Sequence, residues 1–393
     1  MSLMNEYIKK RLSSSVLESE LLRLISEYNK LRNTYLFVFS TAIEKPIPLV
    51  PLNQSDFYII HDLLTGKKGT QEIDLYIETP GGSGETAEDI VRFLHNNFGK
   101  VSFVVSGEAK SAGTIIVLSG NEILMTETGS LGPIDAQMRI GRSIVSAYDY
   151  MEWVGEKRKE AEEQGVLNPF DATMVAQISP GELGGVFNAL KFAEELVIDW
   201  LINYKFKNWT VTETQKKPVT EKMKRDRAEE IAKKLTDHSR WRLHGRSIKI
   251  DDLINEIKLK ITRVDSEPKL ADIVYRIQTV CRLLFDSTNI FKIFATQDNK
   301  IFRQAVPVGR PIGIPKVQAP NVVNIEQKCP KCGKVHKIYA KLDPNPKIDA
   351  DFKGKGFIPF PKDAKIICTC GFEIELSGIR NQIEIQTGKK ILI

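Results

Sequence analysis

The sequence has no apolar run long enough to span a membrane. No stretch among the 393 residues reaches about eighteen consecutive apolar residues, roughly the minimum for a transmembrane helix. Residues 1–30 also lack the continuous apolar core of a secretory signal peptide, because charged and polar residues interrupt them throughout. We therefore expect a cytoplasmic protein without a membrane span.

Cysteine and histidine are also scarce, at five residues each. Four of the cysteines form two close pairs near the C-terminus, which does not resemble the disulfide framework of a small secreted domain. This distribution favours metal binding in a reducing compartment. The remaining one, Cys281, lies in an apolar helical stretch and is expected to be a buried core residue.

Internal repeats and low-complexity tracts are absent, so a solenoid is not expected. The length allows two to three domains with a large core. The net charge of +6 is concentrated in residues 205–246, which hold thirteen basic and six acidic residues. We expect a solvated basic helix there, and an acidic or nucleic-acid partner for this segment is the alternative.

The strongest functional signal is one stretch, GEAKSAGTIIVLSG, at residues 107–120. It follows an apolar run at 101–105 that predicts a buried strand, and at Ser111 it turns into a small and then apolar helix. A serine at a strand-to-helix turn can cap the helix and leave backbone N–H groups behind it that hold an oxyanion. Taken alone, the capping role is the commoner one.

Two further motifs flank this stretch. One strand runs into PGG at residues 80–82, and a later strand runs into GSLGPIDAQ at 129–137. Each motif is weak by itself, but the order strand–PGG–helix, strand–SAG–helix, strand–SLGPID is specific. In this order the sequence resembles the Clp protease/crotonase superfamily, and within it the ClpP-class serine proteases of the serine dehydrogenase proteinase family, relatives of signal peptide peptidase A. The resemblance covers about residues 33–290 and is densest at 73–137.

The resemblance implies an α/β fold, a ClpP/crotonase-like spiral of β-β-α units with a helical extension. It also implies a serine hydrolase in which Ser111 is the nucleophile. The family pattern puts the oxyanion-hole donors at the second glycine of PGG, Gly82, and at the residue after the serine, Ala112. Both are backbone donors at turns that lead into helices, so physical reasoning favours the same pair.

The base that activates Ser111 is less well defined. ClpP itself uses a histidine in the segment that follows the serine motif, and GSLGPIDAQ contains none. The resembled family follows the order Ser, Asp, His, which implies Asp135 of GPID and a histidine of the later WxxHGRSI segment. We predict His244 over His238, because it precedes a glycine in the segment that resembles the family's histidine motif. A turn-stabilising role is the alternative for Asp135.

A serine–lysine dyad, as in signal peptide peptidase A, is the alternative mechanism. Lys157 and Lys159 follow the GPID turn at a plausible separation, but they lie in a dense charge run that is typical of a solvated helix face. Lys110, next to Ser111, is expected to point away from it.

Composition and the family resemblance together imply four segments. These are an N-terminal helical arm over 1–32, a protease domain over 33–290, a β-like segment with a proline-rich linker over 291–320, and a small module over 321–393. The arm and the long helices at 146–206 are expected to form subunit contacts, so a homo-oligomer is predicted.

The last module resembles a zinc ribbon, a small β domain. It contains CPKC and, further on, CTC, and thiolates at such spacings predict a closed, structural zinc site. The predicted ligands are Cys329, Cys332, Cys368 and Cys370. Replacement of one ligand by His336 is a less favoured alternative. Whether this module binds nucleic acid, a protein or no partner is left open.

The predicted function is that of an ATP-independent serine endopeptidase, which hydrolyses polypeptides through an acyl-enzyme on Ser111. A crotonase-type acyl-CoA hydratase or hydrolase is one alternative, because it shares the fold and the paired N–H donors but needs no nucleophilic serine. A non-catalytic, zinc-containing protein that binds nucleic acid or protein is the other, and it would not react with a fluorophosphonate.

Overall fold

The computed structural model describes residues 2–67, 72–134, 136–140, 143–212, 214–305 and 320–392. Contacts divide the chain into two units, Met1–Val306 and Pro307–Ile393. Asp135 and residues 306–319 of the predicted linker lie outside the described residues.

The first unit alternates helices and strands. Its helices are α1 Leu3–Lys9, α2 Ser14–Arg32, α3 Gln54–Thr65, α4 Gly84–Asn97, α5 Ala112–Leu118, α6 Ala147–Gln164, α7 Pro169–Val175, α8 Pro180–Trp200, α9 Glu221–Thr236, α10 His238–Trp241, α11 Ile250–Asn255 and α12 Pro268–Ser287. Its strands are β1 Tyr35–Thr41, β2 Glu72–Glu78, β3 Lys100–Val105, β4 Glu108–Ala109, β5 Glu122–Met125, β6 Ser130–Leu131, β7 Gln137–Ile140, β8 Ser143–Ser146, β9 Thr262–Arg263, β10 Ile290–Ala295 and β11 Lys300–Gln304. A π-helical turn, Leu201–Lys205, extends α8.

Seven strands form the main sheet in the described part of this unit, in the order β11–β10–β1–β2–β3–β5–β9. The strands from β1 to β9 in this order are parallel, and β10 and β11 add an antiparallel pair at one edge. Helices connect β1 to β2, β2 to β3 and β3 to β5, as parallel pairing requires. The α/β class is confirmed, whereas the β-β-α spiral stays a prediction.

Both faces of the sheet are covered, because successive strand residues point to opposite sides and both sets are apolar. On β1, Phe37 and Phe39 lie in a core with residues of α3, α4, α5, α8 and α9. Leu36 and Val38 lie in a second core with residues of α2 and α12. The sheet is therefore the buried middle layer of this unit.

The N-terminal helices pack into the second of these cores. The side chains that α2 buries are Leu17, Leu21, Leu24, Ile25 and Tyr28. The Tyr28 hydroxyl donates a hydrogen bond of 2.7 Å to the carboxylate of Asp74 on β2. Arg11, with a φ of 47°, lies between α1 and α2, so the N-terminal arm consists of two helices. The helices α1 and α2 of the predicted N-terminal arm thus pack against the sheet of their own chain.

In the helical region after β8, the proline and glycines of SPGELGG, residues 179–185, do not interrupt a helix. Instead, α8 begins there: the Ser179 hydroxyl accepts a hydrogen bond of 3.1 Å from the Glu182 N–H, and Pro180 is the first helical residue. A serine cap followed by proline is a start signal. The preceding helix α6 ends at Gly165, which has a φ of 74°.

A second, shorter ladder lies beyond the carboxyl ends of the main strands. Thr79 bridges to Ala109 in parallel, β4 pairs with β6 in parallel, and Leu131 bridges to Ile248 in antiparallel fashion. Because the first three segments run parallel, the chain leaves the ladder on one side after Thr79, Ala109 and Leu131. Ile248 runs in the opposite direction, so the residues before it lie on that same side. These are the segments that carry the predicted site residues.

The second unit consists of β12 Val322–Lys328, β13 Val335–Lys341, α13 Lys347–Gly354, β14 Ile358–Pro359, β15 Lys365–Ile367, β16 Glu373–Glu375 and α14 Ser377–Thr387. β12 and β13 form an antiparallel hairpin, and β15 and β16 form a shorter one. Ile338 and Leu376 are fully buried in the small core of this unit. In the described parts of both units, no helix combines the length and the apolar character that a membrane span needs.

Candidate active site and candidate metal site

Ser111 occupies a strained turn between β4 and α5. Its backbone has φ 49° and ψ −121°, a combination that residues with a side chain rarely adopt. It stands at the N-cap position of α5, yet its side chain makes no capping hydrogen bond. Backbone strain of this kind costs about 1–3 kcal/mol and is typical of functional turns. Ser111 therefore does not act as the helix cap that the isolated motif would favour.

The glycine turn lies against the backbone of Ser111. Gly81 and Gly82 have φ values of 94° and 148°, which disfavour any residue with a side chain. A Cβ atom at Gly81 would lie 2.6 Å from the Cβ of Ser111 and 2.7 Å from the carbonyl oxygen of Lys110. Only a glycine allows the two segments to approach this closely.

The two predicted oxyanion-hole donors have unused N–H groups. Leu52 donates to the Gly81 carbonyl at 2.7 Å and accepts from the Ser83 N–H at 3.0 Å, so the N–H of Gly82 between them points away from Leu52. Ala112 is the first residue of α5, where N–H groups have no acceptor within the helix. No hydrogen-bond acceptor is found for either N–H in the described part of the chain.

The segment that carries His244 is tethered to the residue before Ser111. The Lys110 ammonium group donates to Ser247 Oγ at 2.8 Å, to the Arg246 carbonyl at 3.1 Å and to the Leu131 carbonyl at 3.2 Å. Lys110 is only 4% exposed, and burial lowers its pKa to about 8. The Lys110 side chain thus fixes residues 246–247 beside the serine turn.

The structure brings together the backbone segments of three predicted site residues, Gly82, Ser111 and His244. His244 is half-buried and lies four residues before Ile248, on the side of the ladder from which the other two segments leave. Asp135 lies outside the described residues, and the residue before it, Ile134, donates to the Leu235 carbonyl at 3.1 Å. His238, the alternative base, is the first residue of α10.

The lysines of the alternative dyad lie among acidic residues on α6. Lys157 is 2.8 Å from the carboxylate of Asp171 and 2.9 Å from that of Glu160. These two carboxylates raise the pKa of Lys157, whereas a lysine base needs a lowered one. Lys159 is exposed and lies 3.8 Å from Glu163. Neither lysine contacts Ser111 within the described contacts.

The four cysteines of the second unit lie within bonding range of one ion. Their Sγ atoms are all within 4.8 Å of one another, with 3.7 Å between Cys329 and Cys370 and 3.6 Å between Cys332 and Cys368. A tetrahedral ion with metal–sulfur distances of about 2.3 Å sets sulfurs about 3.8 Å apart, so the set has the right size. The four cysteines could therefore bind a metal ion.

Two features of the candidate active site were missed by sequence reasoning. One is the anchoring role of Lys110, whose acceptors Arg246 and Ser247 are 136 and 137 positions away. The other is Leu52, which holds the glycine turn from a loop that carries no recognisable motif. A hint was available for Lys110, because a lysine next to buried small residues must find acceptors for its ammonium group.

Comparison with known proteins supports a serine peptidase. Residues 63–167 match the family model of the ClpP-like SDH-type serine proteinases. The matched range includes the glycine turn, Ser111 and the SLGPID segment, and it ends before His244 and the cysteines. It supports the hydrolase class for the first unit and contains no part of the second.

Two curated relatives are uncharacterised proteins of Methanocaldococcus jannaschii. MJ1495 is 38% identical over 80 residues, which are 19% of this chain and 27% of the relative. MJ0137 is 39% identical over 66 residues, which are 17% of this chain and 23% of the relative. The matches thus span about a quarter of the length of these relatives.

The chain is also similar to two solved structures of variants of the 1510-N membrane-bound stomatin-specific protease, one of them in complex with a substrate peptide. The matches cover 29% and 28% of this chain and 57% and 53% of those chains, at 20% and 22% identity. Their TM-scores are 0.20 and 0.21, too low to support a structural argument.

Proposed function

We propose that the chain is a serine endopeptidase that hydrolyses polypeptides without ATP, through an acyl-enzyme on Ser111. The observation that carries this proposal is the strained, uncapped Ser111 turn, packed against Gly81 and flanked by the unused N–H groups of Gly82 and Ala112. A nucleophile beside paired N–H donors is the arrangement that acyl transfer needs. The match to the ClpP-like serine proteinases supports the same class.

In the proposed reaction, His244 takes the proton of the Ser111 hydroxyl as the oxygen attacks the peptide carbonyl. The N–H groups of Gly82 and Ala112 stabilise the negative charge on the former carbonyl oxygen. The tetrahedral intermediate collapses, the C–N bond breaks, and His244 gives its proton to the leaving amine. Water, deprotonated by His244, then attacks the ester carbonyl; the bond to Ser111 Oγ breaks, and His244 returns the proton to that oxygen. Asp135 orients the imidazole.

The alternatives fit the described residues less well. A crotonase-type enzyme needs the N–H pair but has no use for a strained serine between those donors. A lysine base is disfavoured because Lys157 bonds to two carboxylates and Lys159 is exposed. A non-catalytic binding role of the first unit does not explain why the backbone of Ser111 is strained.

Labelling with a fluorophosphonate probe tests the proposal. The purified chain should react at one site, and mass spectrometry of the digested protein should find the adduct on Ser111. The Ser111→Ala variant and heat-denatured protein are the matched controls, and both should stay unlabelled. Absence of labelling in the native protein, or an adduct on a different serine, would reject the proposal.

We also propose that the metal of the second unit is zinc in a structural role. Four thiolates leave no open position for a substrate or water, which is typical of structural zinc. The turns that present the cysteines are closed by backbone hydrogen bonds, from Gly333 to the Cys329 carbonyl at 2.9 Å and from Gly371 to the Cys368 carbonyl at 2.8 Å. A partner of this unit or of residues 205–246, acidic or nucleic acid, stays a prediction.

Assembly as a homo-oligomer is the last part of the proposal. The helices after β8 expose several large apolar side chains, which favours burial against a second copy. Exposed apolar side chains in this region are Phe170 and Met174 of α7, Phe187 of α8 and, between α6 and α7, Val166. Light scattering at micromolar concentration should give a mass of at least two chains, and a monomer would contradict this part alone.

A further inference from the structure

A buried ion pair lies beside the loop that holds the glycine turn. Asp56 of α3 and Lys292 of β10 bond directly to each other, and both side chains are fully buried. Arg303 lies 3.4 Å from the second oxygen of the same carboxylate. Because burying two charges is costly, such a pair adds little stability over apolar residues of similar size. Its geometry therefore needs another explanation.

The pair fixes the chain on both sides of Leu52. The Lys292 ammonium group donates to the Pro51 carbonyl at 3.0 Å. The Asp56 carboxylate accepts from the Asn53 N–H at 2.9 Å, which also closes the capping box of α3. Leu52 thus lies between two backbone groups that the same two charged side chains hold.

Leu52 in turn fixes the orientation of Gly82. Its N–H and carbonyl bond to Gly81 and Ser83, and a Cβ at Gly82 would lie 2.4 Å from the Leu52 carbonyl oxygen. The peptide of Gly82 is therefore pressed onto Leu52, with its N–H directed away from it. A shift of Leu52 would move this N–H by a similar amount.

We propose that the Asp56–Lys292 pair is a positioning device for the oxyanion hole, acting through Leu52 on the N–H of Gly82. The inference rests on the proposed serine peptidase function. Asp56 and Lys292 do not touch the substrate, so they are positioning residues. Oxyanion donors act at a fixed position in the transition state, and loss of one donor costs about 100- to 1,000-fold in kcat. A donor that is only partly misplaced should lower kcat by a smaller factor.

The test uses the full-length chain with Lys292→Met and Asp56→Asn. Active sites are first counted by end-point fluorophosphonate labelling, and kcat and KM for a peptide are then expressed per labelled site. We expect kcat to fall about 10- to 100-fold with KM changed less than about threefold, because the hole acts on the transition state. The inhibition constant of a peptide boronic acid, whose tetrahedral oxygen occupies the hole, should rise by a similar factor.

Asp74→Asn is the matched control. Asp74 is also a buried aspartate, 1% exposed, and it lies near the start of β2 in the same sheet as Lys292. Its carboxylate accepts hydrogen bonds from Tyr28 and Arg32 of α2. This variant should lower the melting temperature and leave kcat per labelled site within about twofold. The double variant Lys292→Met/Asp56→Asn removes both buried charges, so it should fold even where a single variant does not.

Two outcomes separate the inference from the function on which it depends. If the single and double variants keep kcat per labelled site within about twofold while their melting temperatures fall, the pair is only structural and the inference is wrong. If the unmodified chain is not labelled at Ser111 or does not cleave peptides, the proposed function fails first. Equal losses in the variants and in Asp74→Asn would also reject a specific positioning role.

Discussion

The ammonium group of Lys110 lies 2.8 Å from the hydroxyl oxygen of Ser247, although 137 positions separate the two residues in the sequence. Lys110 immediately precedes Ser111, and Ser247 follows His244 by three residues. The two ends of the proposed proton-transfer pair are therefore linked by one buried side chain. The link depends on the hydrogen bonds of Lys110 rather than on local backbone preference.

Lys110→Met should disconnect the two segments. Methionine fills much of the same volume but donates no hydrogen bond, so the carbonyls of Leu131 and Arg246 lose a donor. We expect kcat per labelled site to fall at least about tenfold, with a loss of roughly 1–3 kcal/mol in the free energy of unfolding. Peptide hydrolysis with active-site titration, together with urea unfolding, measures both.

Lys249→Met is the control for this prediction. Lys249 is exposed and joins the segment after His244 to the turn between β5 and β6, donating to the Thr128 and Gly129 carbonyls at 2.8 and 3.3 Å. These two hydrogen bonds do not involve the serine turn. Its loss should change kcat less than about threefold. Unchanged activity in Lys110→Met would show that the tether is dispensable.

His95 should make the stability depend on pH. Its ring stacks on Tyr204 with a centroid distance of 3.5 Å, and Nε2 lies 3.0 Å from the Ser119 carbonyl oxygen. Burial lowers the pKa of His95 from 6.5 to about 4. Between these values the unfolded chain binds a proton that the folded chain does not, so stability is complete above pH 6.5 and falls as the pH falls towards 4.

The loss between pH 7 and pH 4.5 should be roughly 1–3 kcal/mol from this one group. Urea unfolding at both pH values, for the unmodified chain and His95→Gln, measures it. Glutamine cannot bind the proton, so the pH dependence should be smaller by that amount in the variant. An identical dependence in both proteins would contradict the prediction.

The cysteine cluster should hold about one zinc ion per chain. Cys329→Ser removes one of four ligands and should release the metal. Because metal binding and folding are coupled in such small units, residues 320–392 should become sensitive to proteolysis while the first unit stays intact. Elemental analysis and limited proteolysis measure the two effects.

Cys281→Ser is the control for the metal prediction. Cys281 is fully buried in the core of the first unit, whereas the cluster belongs to the second, and this variant should keep the metal. Protein purified without chelator that contains no metal would contradict the assignment.

The sequence predicted those parts of the site that lie in contiguous motifs. The strand expected before PGG and the strand expected at 101–105 are present as β2 and β3, and the segments after them contain Gly82 and Ser111. Periodicity and turn residues are local signals, so they predict local structure well. The cysteine spacing likewise predicted a cluster that the structure brings together.

Contacts between distant segments could not be predicted in the same way. The bonds of Lys110 to Arg246 and Ser247 and of Lys292 to Asp56 depend on how the sheet and the short ladder align residues more than one hundred positions apart. No local pattern encodes those partners. The packing of α2 on its own sheet was missed for the same reason, because an amphipathic pattern does not identify the surface that covers it.

The proposed proton path predicts a graded series of variants. Ser111→Ala should abolish covalent labelling, because the oxygen that forms the bond is gone. His244→Ala should lose nearly as much activity, since members of a triad act as a unit and single removals cost about 10⁴-fold or more. Asp135→Asn should cost less than either, because Asp135 orients the base and carries no proton.

Two further variants, which both keep Ser111, distinguish His244 as the base from His238 and from a lysine base. If His244 is the base, the labelling rate of His238→Ala should stay within about threefold of that of the unmodified chain. A large loss in His238→Ala and a small one in His244→Ala would instead make His238 the base. Lys157→Met should change the labelling rate little, because Lys157 bonds to Asp171 and Glu160 and stays protonated. Labelling rates for all five variants between pH 5 and 9 give the comparison. A fully active His244→Ala together with an inactive Lys157→Met would replace the histidine mechanism by a serine–lysine dyad.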